Sequence, residues 1–157
     1  MEVMIVVALV GIIAAFAMPN FTYSIANNRV KTVASDLHTS LLMIRSEAIK
    51  RNGNVMIGPI TGGWRIYYMD GTDEIVVYQK DDVPGDVIVG CNYDSDDDLE
   101  TCADVTFRRT GRPGTFLELR VTSTSALAIP MRCVETSLSG RASVILDSDG
   151  DTTNGCN

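Results

Sequence analysis

Residues 2–20 read Glu-Val-Met-Ile-Val-Val-Ala-Leu-Val-Gly-Ile-Ile-Ala-Ala-Phe-Ala-Met-Pro-Asn, and this stretch decides the fold. One carboxylate, Glu2, heads an unbroken apolar run from Val3 to Met18. A charge is expensive in hydrocarbon, so an acid at that position needs a partner. The run ends at Pro19, and the chain beyond it turns polar. At 1.5 Å per residue the run makes about 24 Å of helix, short of a hydrocarbon core of roughly 30 Å. A secretory signal peptide would carry basic residues before the run and a small-residue cleavage site after it. No Lys or Arg precedes Val3, and Met18-Pro19-Asn20 suits cleavage poorly. An ordinary single-pass anchor would want more apolar residues, which leaves a retained tail made for packing against other tails.

Downstream of Pro19 the apolar residues Val30, Val33, Ala34, Leu37, Leu41, Ile44 and Ala48 recur at steps of three and four. That is one face of an amphipathic helix. Asn27, Asn28, Lys31, Asp36, Ser40 and Glu47 fall on the other faces. Tail and stripe together predict one helix of about 50 residues, on the order of 75 Å long. Its first half is bare and its second half lies across a domain, with a stop at Asn52-Gly53-Asn54 where Gly supplies a left-handed cap. The period then changes to that of strands: Val55–Ile57, Trp64–Met69, Glu74–Gln79, Val87–Val89, Asp104–Arg108, Thr115–Val121, Ala126–Val134 and Ala142–Leu146. Turn signals at Thr61-Gly62-Gly63, Asp70-Gly71-Thr72, Pro84-Gly85, Gly111-Arg112-Pro113-Gly114 and Ser139-Gly140 separate them. The reading is an α+β fold, a long N-terminal helix packed on antiparallel sheet. It divides into a hydrophobic helix over residues 1–25 and a globular domain over 26–157, the latter made of helix 26–52 and β domain 53–157.

Composition sets outer bounds. The chain has 157 residues, 45% hydrophobic and 21% charged, with a net charge of −7, enough for one domain and the tail. So acidic a chain argues against a general nucleic-acid surface, though not against a local basic patch. The cysteines are Cys91, Cys102, Cys133 and Cys156. Their spacing is not that of a zinc site. With a tail that points to export, two disulfides are the simpler reading, and the pairs Cys91–Cys102 and Cys133–Cys156 each close a short polar loop.

The run from Glu2 to Phe21 strongly resembles the N-terminus of type IV pilins and type II secretion pseudopilins. Arg45-Ser46-Glu47-Ala48-Ile49-Lys50-Arg51-Asn52 looks like the hallmark of the GspH/FimT-type minor subunits. In that family a peptidase cuts a leader after Gly, a few residues before the glutamate. Met1 stands next to Glu2 here, so the leader and its Gly are expected upstream of this sequence. The resemblance implies that Glu2 pairs with the α-amine of an adjacent subunit in the filament core. It also implies that the helix loosens around Pro19 during assembly, with Gly11 contributing. The implied partners are other minor pilins and the major pilin or pseudopilin. The implied location is the bacterial inner membrane, single-pass with a periplasmic domain, and afterwards a filament.

Other motifs are weaker. His38 is the sole histidine, beside the helix stripe, and reads as a surface or partly packed residue. No nucleophile elbow, phosphate loop or metal set is recognisable, so an enzyme is not expected. Asp147-Ser148-Asp149-Gly150-Asp151 alternates carboxylates, a hard-oxygen set that could take calcium at Asp147, Asp149 and Asp151. It lacks the bidentate Glu of an EF-hand, and a solvated acidic loop explains the same residues, as it does Asp94–Glu100. Cofactors are therefore none, or calcium. Arg108, Arg109 and Arg112 cluster in one turn and Arg141 follows Gly140. Some competence pilins of this branch bind DNA through a C-terminal Gly-Arg-x-Arg. Gly140-Arg141-Ala142-Ser143 matches the first half, and Ser143 replaces the second arginine, losing one phosphate-neutralising charge. The favoured function is a non-enzymatic minor pilin or pseudopilin at the filament tip, with DNA capture as the alternative.

Overall fold

The computed structural model describes residues 2–91, 102–125, 128–148 and 156; for Glu2 and for 12–20 it describes the backbone alone. Helix α1 spans Glu2–Arg51 and runs through Pro19 without a break in assignment. Its second half is helical for the reason the spacing gives. Val30, Val33, Ala34, Leu37, Leu41, Ile44 and Ala48 are all at most 2% exposed and form the floor of the core. Lys50 and Arg51 sit in the last turn, where cations oppose the helix dipole. The helix stops where Asn52, not Gly53, takes the left-handed conformation (φ 50°). Asn tolerates that region, and its N–H and that of Gly53 return to the carbonyls of Ile49 and Ala48.

Among the described residues eight strands follow: β1 (Val55–Ile60), β2 (Gly63–Asp70), β3 (Asp73–Lys80), β4 (Val87–Cys91), β5 (Val105–Phe107), β6 (Leu117–Ser123), β7 (Arg132–Thr136) and β8 (Ala142–Leu146). They make not one sheet but two four-stranded antiparallel sheets, ordered β3-β2-β1-β5 and β4-β6-β7-β8. The stretch expected as a strand from Ala126 to Val134 begins only at Arg132, and Ala126 and Leu127 lie outside the described residues. The segment expected from Asp104 to Arg108 is shorter, because Arg108 already belongs to a turn.

Both sheets close on the helix. Val55 and Ile57 of β1, Trp64 and Ile66 of β2, Val87 and Val89 of β4, Phe107 of β5, Leu117, Leu119 and Val121 of β6 and Val134 of β7 bury against its stripe. In β6 buried and half-buried residues alternate from Leu117 to Thr122, as one packed face requires. Ser40 breaks the expected pattern. It is 2% exposed inside the stripe and accepts a 2.9 Å hydrogen bond from Trp64 Nε1. A buried indole N–H needs an acceptor, and a small hydroxyl on the helix supplies it without displacing the packing.

Strand direction gives the domain two ends. β1 starts beside the C-terminus of α1 and runs away from it, β2 returns, and β3 leaves again to Lys80. The turns at 108–114 and 137–141 therefore gather at the C-terminal end of α1. Residues 80–86 and Asp147 gather at the lower end, where Arg29 of α1 meets Asp86.

Candidate assembly and binding surfaces

The described part of the tail has nothing to pack on within its own chain. Val3, Met4, Ile5, Val6, Val7, Leu9 and Val10 are each more than half exposed, and Phe21 is 69% exposed. A Cβ added to Gly11 would meet nothing, so that glycine fills no steric need inside the subunit. Apolar surface on this scale calls for a lipid or protein cover. Judged on the described residues, no helix is long and apolar enough to cross a membrane. The side chains of Glu2 and Pro19 are outside the description, and only their helical backbone is fixed.

At the other end of α1 three segments converge. Arg108 to Gly111 close one turn, with the Gly111 N–H on the Arg108 carbonyl at 2.7 Å and the Arg108 N–H on the Arg112 carbonyl at 2.9 Å. Ser137 to Gly140 close a second by a 2.8 Å bond. Gly140 (φ 78°) is packed on the carbonyl of Gly111, leaving no room for a Cβ. A Cβ on Gly111 would in turn lie 2.7 Å from Ile49 and 3.0 Å from Arg45. The helix itself fastens the second turn: Arg45 Nη1 donates to the Gly140 carbonyl at 2.7 Å. The two motifs at Arg45 and at Gly140-Arg141 are thus one structural unit. Arg108, Arg109, Arg112 and Arg141 are brought together on this end, exposed and without an ion pair among the described residues.

Disulfides join Cys91 to Cys102 and Cys133 to Cys156. The second ties Cys156 to β7. In the acidic stretch Asp147 is 5% exposed, and neither carboxylate oxygen has a hydrogen-bond partner among the described residues; its own N–H bonds to the Met131 carbonyl. Asp149 and Asp151 lie outside the described residues. Among the described residues no group of three or more His, Cys, Asp or Glu gathers as a metal site would. His38 is half-buried on α1.

Two further sites escape sequence reading. A cleft of about 500 Å³ opens between the sheets, lined by Leu37, Ile57, Trp64, Phe116, Leu117 and the carboxylate-bearing Asp104. At its rim Tyr67 donates its hydroxyl to Asp104, whose carboxylate occupies the space that a side chain on Gly58 would need. Burial first, and then the bond to Asp104, push the Tyr67 hydroxyl up to about 12. On the second sheet Glu118 and Glu135 stand directly opposite one another. Burial, and secondly the Glu118 charge, raise the Glu135 carboxyl above the ordinary glutamate range. A glycine and an acid 46 residues apart (58 to 104) give no local signal of this kind.

The family profile described as type II transport protein GspH matches residues 33–155. The chain belongs to that family. The match takes in the amphipathic half of α1 and both sheets. Among solved structures, the type IV minor pilin FimU of Pseudomonas aeruginosa superposes with a TM-score of 0.62 at 16% identity, covering 83% of this chain and 96% of that one. The minor pseudopilin EpsH from the type 2 secretion system of Vibrio cholerae superposes at 0.56 with 12% identity, covering 78% and 99%. At such identities the likeness is one of fold. No curated protein matches by sequence. The GspH family member thus has a pilin-like α+β fold, a long N-terminal helix on antiparallel sheets.

Proposed function

We propose that this chain is a non-enzymatic minor subunit of a type IV pilus or a type II secretion pseudopilus, seated at the filament tip in the complex that initiates assembly. One observation carries the reading. A single helix is buried by its own domain from Val30 to Ala48 and bare from Val3 to Val10. The domain holds the helix rigidly by one half and presents the other half for covering by neighbours. Before assembly the cover is the inner membrane, with the domain on the periplasmic side, where an oxidising compartment suits the two disulfides. After assembly it is the tails of other minor subunits and of the major pilin or pseudopilin. Glu2 then pairs with the α-amine of an adjacent tail, since a charge in low dielectric persists only when partnered.

The test uses the full gene with its leader. Glu2→Ala is expected to leave the protein in the inner membrane, because removing a charge eases insertion. Its recovery in sheared filaments is expected to fall by roughly tenfold or more, the loss of a buried pairing. Wild-type recovery would contradict the pairing.

A further inference from the structure

The outer side of α1 carries a pattern that its own domain does not use. Phe21, Ile25, Leu42 and Ile49 are 69%, 38%, 46% and 51% exposed. Asn28, Thr32, Ser35, Thr39 and Ser46 are exposed between them. The nine positions advance by four and three residues in turn, a repeat of 3.5 kept over four heptads. None of them is charged, although the helix from 21 to 51 holds seven charged residues on its other sides. Arg29 reaches Asp86, Asp36 reaches Lys80, Arg45 reaches the Gly140 carbonyl and Glu47 reaches Arg51. A helix face left to water normally carries charge, so a charge-free one calls for a cover.

The period names the cover. A repeat of 3.5 is that at which one helix meets another along a left-handed crossing, and neither a lipid nor a sheet has use for it. Small residues at such positions let two backbones approach closely. At two of them the hydroxyl is already satisfied within the helix. Thr39 Oγ1 donates to the Ser35 carbonyl at 2.9 Å and Ser46 Oγ to the Met43 carbonyl at 2.8 Å, so covering them strands no donor. β8 adds a flank. Arg45, one step along the helix from Leu42 and Ile49, is bonded to the turn that opens β8. Val144 pairs with the core residue Val134, which places it on the strand face turned to α1, yet it is 41% exposed. The stripe also continues the bare tail, since Met4, Val7 and Gly11 fall on the same repeat.

We infer that this stripe receives the uncharged tail helix of a neighbouring subunit, a pilin-like chain other than a copy of this one. From Phe21 to Ile49 it is about 42 Å long, room for an apolar run like that from Val3 to Met18, about 24 Å. The contact rests on the filament reading and deepens it. The domain half of α1, and not the tail alone, takes part in helix packing.

The experiment uses the full-length chain, with its leader, in cells that assemble filaments. p-Benzoylphenylalanine replaces Ser35 or Thr39 on the stripe and, as a control, Thr72, exposed between β2 and β3. Irradiation and mass spectrometry are expected to join the two stripe positions, and not Thr72, to the apolar N-terminal helix of a different pilin-like chain. Adducts with lipid alone, with copies of this chain alone or with a globular domain alone overturn the inference, as does the absence of adducts. Thr39→Glu supplies a second readout. It is expected to leave melting and membrane insertion unchanged, because the position is exposed in the single subunit. Its recovery in sheared filaments is expected to fall roughly tenfold or more, since assembly would bury an unpaired charge. Thr39→Ala and Thr72→Glu are expected to be recovered as wild type. Undiminished recovery of Thr39→Glu would contradict the contact. Wild-type chain present in filaments without stripe adducts sinks this inference alone, whereas wild-type chain absent from filaments sinks the filament reading.

Discussion

Single residues in this fold carry strain that can be relieved and measured. Glu118 and Glu135 face each other across two strands, an arrangement that like charges make unfavourable. The folded Glu135 carboxyl lies above its ordinary value near 4.5. Its contribution is therefore fully favourable below that value and is lost as pH rises through the raised one. Glu135→Gln is expected to stabilise the domain by about 0.5–1 kcal/mol at neutral pH and to change little below about pH 4 in thermal melts. Tyr67 works in the same direction at the other extreme. Its hydroxyl, pushed up to about 12, stabilises the fold below pH 10.0 and ceases to do so as pH climbs through the folded value. Tyr67→Phe is expected to flatten the fall in melting temperature across that window. Asp147 is a buried carboxylate whose oxygens have no hydrogen-bond partner among the described residues, which is costly unless a cation offsets its charge. In chelator, Asp147→Asn is expected to raise stability by roughly 1–3 kcal/mol. Calcium bound at this carboxylate would raise the wild-type melting temperature at millimolar Ca²⁺ and leave that of the variant unmoved.

The elements show where sequence reasoning reaches and where it stops. The stripe from Val30 to Ala48 is local and periodic, so the helix and its buried face could be read directly. Strand positions followed from turn chemistry, because Gly62, Gly71 and Gly140 occupy left-handed turns that few other residues accept. The division into two sheets could not be read, since strand partners are decided by packing on the helix and not by any local pattern. The same holds for Ser40, which looks like a solvent-facing serine until Trp64 is placed against it. The arginine end combines both cases. Arg108, Arg109 and Arg112 are neighbours in sequence, but their meeting with Arg141 depends on the Gly111–Gly140 contact. That contact makes a prediction at this scale. Gly140→Ala would add a side chain where the Gly111 carbonyl already lies, at a positive φ. It is expected to destabilise by roughly 1–3 kcal/mol and to weaken the Arg45 bond. Urea melts of Gly140→Ala, Arg45→Ala and the double variant should show losses that do not add.

At the scale of the whole molecule, the domain is a handle on a helix whose first half is left uncovered. Deleting residues 1–25 removes the exposed run from Val3 to Val10 together with Phe21. The truncated protein is expected to stay in solution without detergent, as judged by sedimentation, whereas the full chain requires it. The disulfides and the core beneath Trp64 belong to the handle and should be untouched by that deletion. On the function proposed, the intact subunit enters a filament and sits at its tip. Gold labelling of sheared filaments, with an antibody against the domain, tests this most directly. Gold confined to one end of each filament is the predicted result. Gold spread along the shaft would contradict the tip position, and unlabelled filaments beside a strongly labelled membrane fraction would contradict assembly itself.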